Sequence, residues 1–465
     1  MSLDNVVMSD PKVELRVPSD VVDVIERLHE AGFEAYVVGG CVRDALLHLE
    51  PKDWDVATNA LPADIQKRFR RSLYTNRFGT VIVPTPEREV EVTTYRLESE
   101  YSDHRHPDAV AFTHSLYEDL ARRDFTINAM AWDGHLRDPH GGARDLRDRL
   151  IRAVGDPNER FREDALRMLR AVRFATTLGF RIEETTAAAI RTNAELMRTV
   201  SGERIQQELR RILAVPKPSS AFRLMSELGL AAVVFPELDQ ARDVPQEKAA
   251  AQDVFGHLLA TLDATPQDDV VLRLAGLLHD IGKPDTYQDG HFYQHEYVGE
   301  AKAKRILRRW KFPKDEIEHV CHLVRNHMFW YQDEWTDSAV RRFIRKVGLE
   351  NIPTLFALRR ADNIGSGARQ PRMVKLEQLW RRVADEINRE SAFSLRDLKI
   401  DGNDVMAALG VPPGPVVGRT LNWLFEQVLD EPSLNQRETL LALIREHRDE
   451  LVRPSREERR GEAGD

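Results

Sequence analysis

The stretch DWDVAT, residues 53–58, sets two carboxylates, Asp53 and Asp55, one residue apart in a strand-like run. In an extended chain residues i and i+2 face the same side, so the two anions repel unless a cation lies between them. Oxygen ligands of this kind hold Mg2+, and a pair of such ions clamps the attacking and leaving oxygens of phosphoryl transfer. Just upstream, YVVGGCVRDALL ends a strand on Gly39 and Gly40 and then opens a helix. The two glycines let the backbone come close to a phosphate, the helix N-terminus favours an anion, and Arg43 one turn inside reaches the same group. Two-metal transfer usually uses a third carboxylate. Glu91, in the alternating run VEVTTY, is the first candidate; Glu89 shares its face, and Asp124 in RRDFT is another.

These residues need a sheet to carry them, and residues 20 to about 150 supply the pattern for one. VVDVIERLHEAG reads as an amphipathic helix stopped by Gly32. EAYVVGG, DWDVAT, GTVIVPT and EVEVTTYR read as strands with turn residues between them. From about 150 the period becomes helical, as in FREDALRMLRAVRFATTLGF, ETTAAAIRTNAELMRTV and SGERIQQELRRIL. Helices continue nearly to the end, broken by Pro-bearing turns at 234–245, 284–291 and 411–415, before a charged tail, RPSREERRGEAGD.

Five segments in order, YVVGGCVRDALLHLEPKDWDVAT, EDLARRDFTINAMA, LRDPHGGARDLRDRLIRAVGDP, FREDALRMLRAVRFA and SGERIQQEL, make the chain resemble the tRNA nucleotidyltransferase and bacterial poly(A) polymerase family over residues 30 to 240. The resemblance implies that Asp53 and Asp55 bind two Mg2+ ions. It implies nucleotide contacts at Gly40, Arg43 and Arg123, and at Asp164, Arg167, Arg170 and Arg173. The implied reaction is template-independent addition of CCA to tRNA from CTP and ATP, releasing pyrophosphate. Within the family the alternatives are CC-only or A-only addition and poly(A) synthesis. The segment RLESEYSDHRHPDAVAF, similar to the flexible loop of full CCA-adding members, favours the first reading. The fold class follows as multidomain α+β: a nucleotidyltransferase head with a mixed sheet and helices at 20–150, then all-α segments. These are a neck with the nucleotide-selecting helix at 151–215, a body at 216–250, a metal-binding domain at 251–370 and a tRNA-binding tail at 371–465.

The EDALR segment bears a reading of its own. On a helix Asp164 and Arg167 are i and i+3 neighbours. Cytosine and adenine each offer an amino donor beside a ring-nitrogen acceptor, and uracil reverses that order. A carboxylate acceptor next to a guanidinium donor therefore fits C and A and mismatches U, so the protein itself supplies the pairing edge. Arg170 and Arg173 cannot join the same reading, because three-residue steps on an ideal helix carry Arg173 to the side opposite Asp164. Arg170 is then a triphosphate or base-side contact, and Arg173 is either another or a tie between neighbouring segments.

A second constellation, GHLLATLDATPQDDVVLRLAGLLHDIGKPDTYQDGHFYQHEYVGEAKAKRIL, resembles an HD-type phosphohydrolase domain, with His279–Asp280 at the end of an apolar helix. That resemblance implies metal ligands at His257, His279, Asp280 and Asp362, with His295 and His327 available for a second ion. Imidazoles and carboxylates suit Mn2+, Ni2+, Co2+ or Mg2+. Two uses stay open: hydrolysis of 2′,3′-cyclic or terminal phosphates on RNA ends, or a relic shelf that binds tRNA. A rival of a different class is a phosphohydrolase whose head merely binds nucleotides. The tail segment LKIDGNDVMAALGVPPGPVVGRTLNWLFEQVL carries Gly410, Gly414, Pro415 and Gly418 at a turn that opens a helix near a phosphate or serves structure alone.

Composition narrows the class. Net charge is −9, which argues against nonspecific coating of nucleic acid but not against local basic surface, such as 304–311, 341–346 and Arg359, Arg360, Arg369 and Arg372. Only Cys41 and Cys321 are present, excluding a disulfide framework and a cysteine zinc site. No apolar run approaches membrane-spanning length and the opening lacks the apolar core of a secretory signal, so the expected compartment is the cytoplasm, with no membrane partner.

Overall fold

The computed structural model describes residues 15–75, 79–98, 110–248, 251–367, 370–389 and 393–453. Residues 99–109 of the expected flexible loop, Arg369, the first fourteen residues and the charged end from 454 lie outside them. The chain divides into two compact units, Met1–Arg242 with Arg305–Pro313, and Asp243–Lys304 with Lys314–Asp465.

The first unit is built on a mixed sheet of seven strands among the described residues: β1 (Ala35–Val38), β2 (Asp55–Thr58), β3 (Leu73–Tyr74), β4 (Thr80–Pro84), β5 (Glu89–Thr94), β6 (Ala131–Trp132) and β7 (Leu136–Arg137). Their order is β3-β4-β5-β2-β1-β6-β7. β2 and β5 run parallel, with Asp55 opposite Glu91, and the other neighbours are antiparallel. Alternation in β5 buries Val90, Val92 and Thr94 and turns Glu89 and Glu91 outward. The helix Ser19–Glu30 buries Val21, Val24, Ile25 and Leu28, the i, i+3, i+4, i+7 stripe its sequence displays.

After the sheet come the helices Pro157–Glu163, Leu166–Leu178 and Gly202–Leu213. The later segment Arg305–Pro313 completes this unit. Its Trp310, 1% exposed, lies edge-on against Phe235 with centroids 4.9 Å apart and donates from Nε1 to the Val234 carbonyl. Arg309 grips Glu237 through both guanidinium nitrogens at 2.8 and 2.7 Å.

The second unit is mostly helical, but not all-α as expected: short antiparallel pairs join Pro245–Lys248 to Ala251–Asp253 and Tyr287–Gln288 to His291–Phe292. Val254–Asp263, Val270–Leu278, Lys314–Asn326 and Ile352–Gly365 pack on one another. A Cβ on Gly365 would lie 2.6 Å from the Thr261 backbone nitrogen, so only glycine permits this crossing. The approach brings Asp362, on one helix, to His257 on the other. The basic run 341–346 is spent within this unit rather than on a free surface. Arg341 is buried on Glu386 at 2.7 Å, Arg342 pairs with Glu426 and Asp430, and Arg345 pairs with Glu426. The tail helix Gly402–Leu409 ends on left-handed Gly410, and Gly414 precedes the helix Pro415–Asp430, whose Leu424, Phe425 and Val428 sit in the tail core. Among the described residues no helix is long and apolar enough to cross a membrane.

Candidate active site and metal centre

In the first unit a cavity of about 600 Å3 is lined by Gly39, Gly40, Arg43, Asp55, Glu91, Arg123, Asp164, Arg167, Arg170 and Arg173, among others. Residues from five separate sequence segments thus meet in one place. Gly39 has φ +82°, and a Cβ there would stand 2.7 Å from Arg123 Nη1. Both the backbone angle and the proximity of the guanidinium therefore require glycine. Arg123 and its neighbour Arg122 share the buried Asp119, at 3.1 and 2.7 Å. Arg43 donates to Asn128 Oδ1 at 2.7 Å and lies 5.0 Å from the Phe174 ring.

Asp53 and Asp55 do not share a strand. β2 begins at Asp55, while Asp53 sits in the preceding bend and is exposed. Trp54 between them is 3% exposed, so its burial anchors the turn before strand pairing starts. Asp55 instead shares its face with Glu91 across the parallel pair. The Asp55 carboxyl is pushed up to about 6, first by burial and then by the charge of Glu91, with Asp53 adding to the rise and Arg123 opposing it. A buried carboxyl raised by the carboxylate opposite it, with oxygen donors on both sides, fits a hard divalent cation such as Mg2+. Cys41 beside them is no nucleophile, since burial pushes its thiol up to about 12.

Asp124 is committed elsewhere. It accepts from Arg170 Nε and Nη2 at 2.9 and 2.6 Å, from Asn128 Nδ2 at 2.9 Å and from the Phe125 amide at 2.8 Å. Burial alone would raise its carboxyl, but the charge of Arg170, the Asn128 bond and the Arg170 bonds hold it at about 2. Glu89 lies opposite Pro84 and does not line the cavity. Of the three candidate third carboxylates, Glu91 is the one facing Asp55.

The expected helix through Asp164 and Arg167 is broken. Pro157–Glu163 ends with Asp164 in extended geometry, φ −144°, ψ 102°, and a new helix runs from Leu166. The Asp164 side chain accepts from the Leu166 amide at 3.1 Å, the local competition with helical bonding typical of aspartate. Its oxygens also take both Nη atoms of Arg204, at 3.0 and 2.7 Å. Arg167 donates to Glu163 at 2.6 Å and to the carbonyls of Arg160 and Arg122. Asp164 and Arg167 still line the same cavity, and the break removes the ideal-helix objection to Arg173, which lines it too. Arg173 donates to Glu208 at 2.5 Å, tying two helices. Sequence patterns do not mark out Asn128, Phe174, Arg204 or Glu208, although RRDFTINAMA and SGERIQQEL contain three of them.

In the second unit five side chains form two triads that share Asp280: His257, His279, Asp280, and Asp280, His295, His327. Asp362 joins the first, with Oδ1 at 3.1 Å from His257 Nε2 and 3.8 Å from His279 Nε2. Asp280 Oδ2 lies 3.3 Å from each of those nitrogens, while its Oδ1 lies 3.2 Å from His295 Nε2 and 3.4 Å from His327 Nε2. Nδ1 of His279, His295 and His327 sits at 2.9, 3.2 and 2.7 Å from the carbonyls of Gly276, Phe292 and Val324. Such bonds fix the ring and leave Nε2 for a metal. The buried Nε2 atoms of His295 and His327 make no hydrogen bond, and burial lowers His279 to about 4, keeping its imidazole neutral. This mixed nitrogen and oxygen donor set fits a divalent transition metal.

Three family models match parts of the chain. The family model described as "Poly A polymerase head domain" matches residues 35–152. "Probable RNA and SrmB- binding site of polymerase A" matches 179–242, and "tRNA nucleotidyltransferase domain 2 putative" matches 292–444. The chain is 36% identical over 422 residues to the CCA-adding enzyme of Geobacillus sp. (strain WCH70), covering 90% of this chain and 94% of that one. Identity to the Geobacillus kaustophilus CCA-adding enzyme is 35% over 430 residues, covering 91% and 95%. The crystal structure of the Bacillus stearothermophilus CCA-adding enzyme in complex with CTP superposes with a TM-score of 0.72 at 30% identity, covering 93% of this chain and 98% of that one.

Proposed function

Since the chain belongs to the CCA-adding enzyme family of tRNA nucleotidyltransferases, we propose that it adds CCA to the 3′ end of tRNA from CTP and ATP, releasing pyrophosphate, in the cytoplasm. The observation that carries this reading is the meeting of Asp55 and Glu91 with Arg43, Arg123, Asp164 and Arg167 in one cavity. The related enzymes match over nearly the whole chain and are CCA-adding, which favours that activity over A-only, CC-only or poly(A) addition.

Asp53, Asp55 and Glu91 are the residues to hold Mg2+. When bound, such ions ionise the attacking hydroxyl and neutralise charge on the transferring phosphate. Gly39 and Gly40 leave room for the triphosphate against the backbone. Arg123, fixed by Asp119, and Arg43, fixed by Asn128, are placed to take up charge on the departing pyrophosphate. Asp164 and Arg167 present acceptor and donor to the base edge, now as residues flanking a helix break rather than neighbours on one helix. Arg170 and Arg173, paired with Asp124 and Glu208, hold the helix Leu166–Leu178 and keep cationic atoms at the cavity wall.

The test uses three tRNAs lacking three, two or one of the terminal nucleotides, each given CTP, ATP or both with Mg2+. Growth of the shortest by C, C and A followed by arrest is the expected result; an A ladder, or extension of only the longest tRNA, overturns it. The Asp53→Ala, Asp55→Ala double variant should bind tRNA and add nothing.

The two triads around Asp280 support a second activity of the same chain, an HD-type phosphohydrolase acting on 2′,3′-cyclic or terminal phosphates. His257, His279, Asp280 and Asp362 would hold one Mn2+, Ni2+ or Co2+ ion, and His295 and His327 a second. An intact donor set speaks against a relic shelf. Purified protein given each metal should turn over adenosine 2′,3′-cyclic phosphate, and absence of turnover with all three rejects the reading. The intact first cavity likewise speaks against a head that merely binds nucleotides.

A further inference from the structure

A second cavity, of about 590 Å3, opens in the second unit beside the His/Asp cluster, lined by the run Phe329 to Glu334 and by Arg359, Asn363, Arg372 and Lys375. Its wall is continuous with the cluster. The helix Ile352–Gly365 carries Arg359, Asp362 and Asn363 at i, i+3 and i+4, a single side of the helix. Asp362 reaches His257, while its two neighbours on that side line the cavity, and Arg359 bonds Asp362 Oδ2 at 2.7 Å. From the other direction, Phe329 follows His327 by two residues.

The lining has a definite chemistry. Phe329 is anchored in an aromatic group, with centroids 5.1 and 5.5 Å from Phe343 and Phe356. Trp330 beside it is 61% exposed. The Arg372 guanidinium lies 5.9 Å from the Trp330 ring and has no acidic partner among the described residues. Lys375 is neutralised by Asp333 at 2.6 Å. The site thus pairs a large exposed π face with a guanidinium that has no acidic partner among the described residues, and adds two carboxylates, Glu334 and the Lys375-paired Asp333. A bare polyanion would meet those carboxylates and leave the indole unused. An apolar ligand would strand the cation. A nucleotide uses all three: its base stacks on Trp330, its phosphate faces Arg372 and Arg359, and ribose hydroxyls donate to the carboxylates. The volume suits one small molecule rather than a duplex.

We propose that this cavity is the base-binding subsite of the His/Asp centre, taking the nucleotide that bears the phosphate to be hydrolysed. The assignment rests on the phosphohydrolase reading for its purpose, and on the cavity alone for the binding.

The test is made on the full chain labelled with 5-fluorotryptophan, the Trp330 resonance being the one lost in Trp330→Phe. Adenosine 2′,3′-cyclic phosphate should shift that resonance, and ribose 5-phosphate, which lacks a base, should not. In hydrolysis assays Trp330→Ala and Arg372→Glu should raise KM for the cyclic nucleotide about fivefold or more, with kcat changed less, and Trp330→Phe should restore most of the loss. Trp330 and Arg372 are exposed, so neither change threatens folding. A short RNA ending in a 2′,3′-cyclic phosphate distinguishes sources: tighter binding than the mononucleotide marks RNA ends, and equal binding marks free nucleotides. A shifted resonance without turnover by any metal upholds the nucleotide site and rejects the hydrolase. An unmoved resonance, or turnover with a KM indifferent to both variants, overturns the subsite and leaves the hydrolase standing.

Discussion

Replacing Asp124 by Asn tests whether the cations of the first cavity are held by a buried network rather than by substrate. Arg170, Asp124, Asn128 and Arg43 form one continuous line of hydrogen bonds. The Asp124 carboxyl is held at about 2, against an ordinary value of 3.8. That difference corresponds to about 2 kcal/mol of stability at neutral pH. Because the folded value is depressed, this contribution is complete above the ordinary value and is lost as pH falls from 3.8 toward 2. Arg170 keeps 31% of its side chain in solvent, so the guanidinium left behind is not stranded in a dry interior and adds little further cost. The assay is a cycle of Asp124→Asn, Arg170→Met and the double variant, with unfolding followed by a probe in the first unit. At pH 7 the coupling energy should be favourable by on the order of 1 kcal/mol or more, and it should shrink as the pH drops below about 4. Nucleotide addition should fall in Asp124→Asn because Arg170 loses its carboxylate and Asn128, which holds Arg43, loses a charged acceptor. Additive single effects at pH 7, or a coupling that persists unchanged in acid, would refute the network.

Two other substitutions probe the same cavity. Gly39→Ala should cost on the order of 1–3 kcal/mol of stability through its left-handed backbone, and should raise KM for CTP by displacing Arg123; thermal unfolding and nucleotide titration read the two effects. Asp164→Ala should lose C/A selectivity before it loses catalysis, with misaddition of UTP rising about tenfold or more, and Arg204→Met should reproduce part of that effect by releasing the Asp164 carboxylate, as single-nucleotide product analysis will show.

The sheet is readable from the chain because its strands announce themselves: VIVP and EVEV alternate or run apolar between turn residues, and alternation alone places Glu91 on an outward face. The partnership of Asp55 with Glu91 is not readable, because the register of two parallel strands depends on long-range pairing. The helix break at Asp164 escapes for a different reason. Helical periodicity runs straight through FREDALRMLR, and the break comes from one aspartate side chain capturing a nearby amide, which leaves no trace in the apolar pattern. Asn128 and Glu208 act through others, so nothing in their residue type marks them out. The His/Asp cluster is legible as a set of candidate ligands implied by resemblance. That Gly365 permits the helix crossing joining Asp362 to His257 is visible only in three dimensions.

The return of residues 305–313 to the first unit bears on how the proposed phosphohydrolase activity can be separated genetically from nucleotide addition. A transferase fragment cut after Arg242 would lack Trp310, leaving Phe235, wholly buried in the intact chain, without its aromatic cover, and Glu237 without Arg309. The catalytic head is encoded early, but its unit is finished only after more than sixty intervening residues belonging to the other unit have been made. During synthesis the first unit therefore cannot close on itself when its own main stretch has emerged. Point substitutions in one site at a time, rather than truncation, are the means by which either proposed activity can be removed while the other is measured.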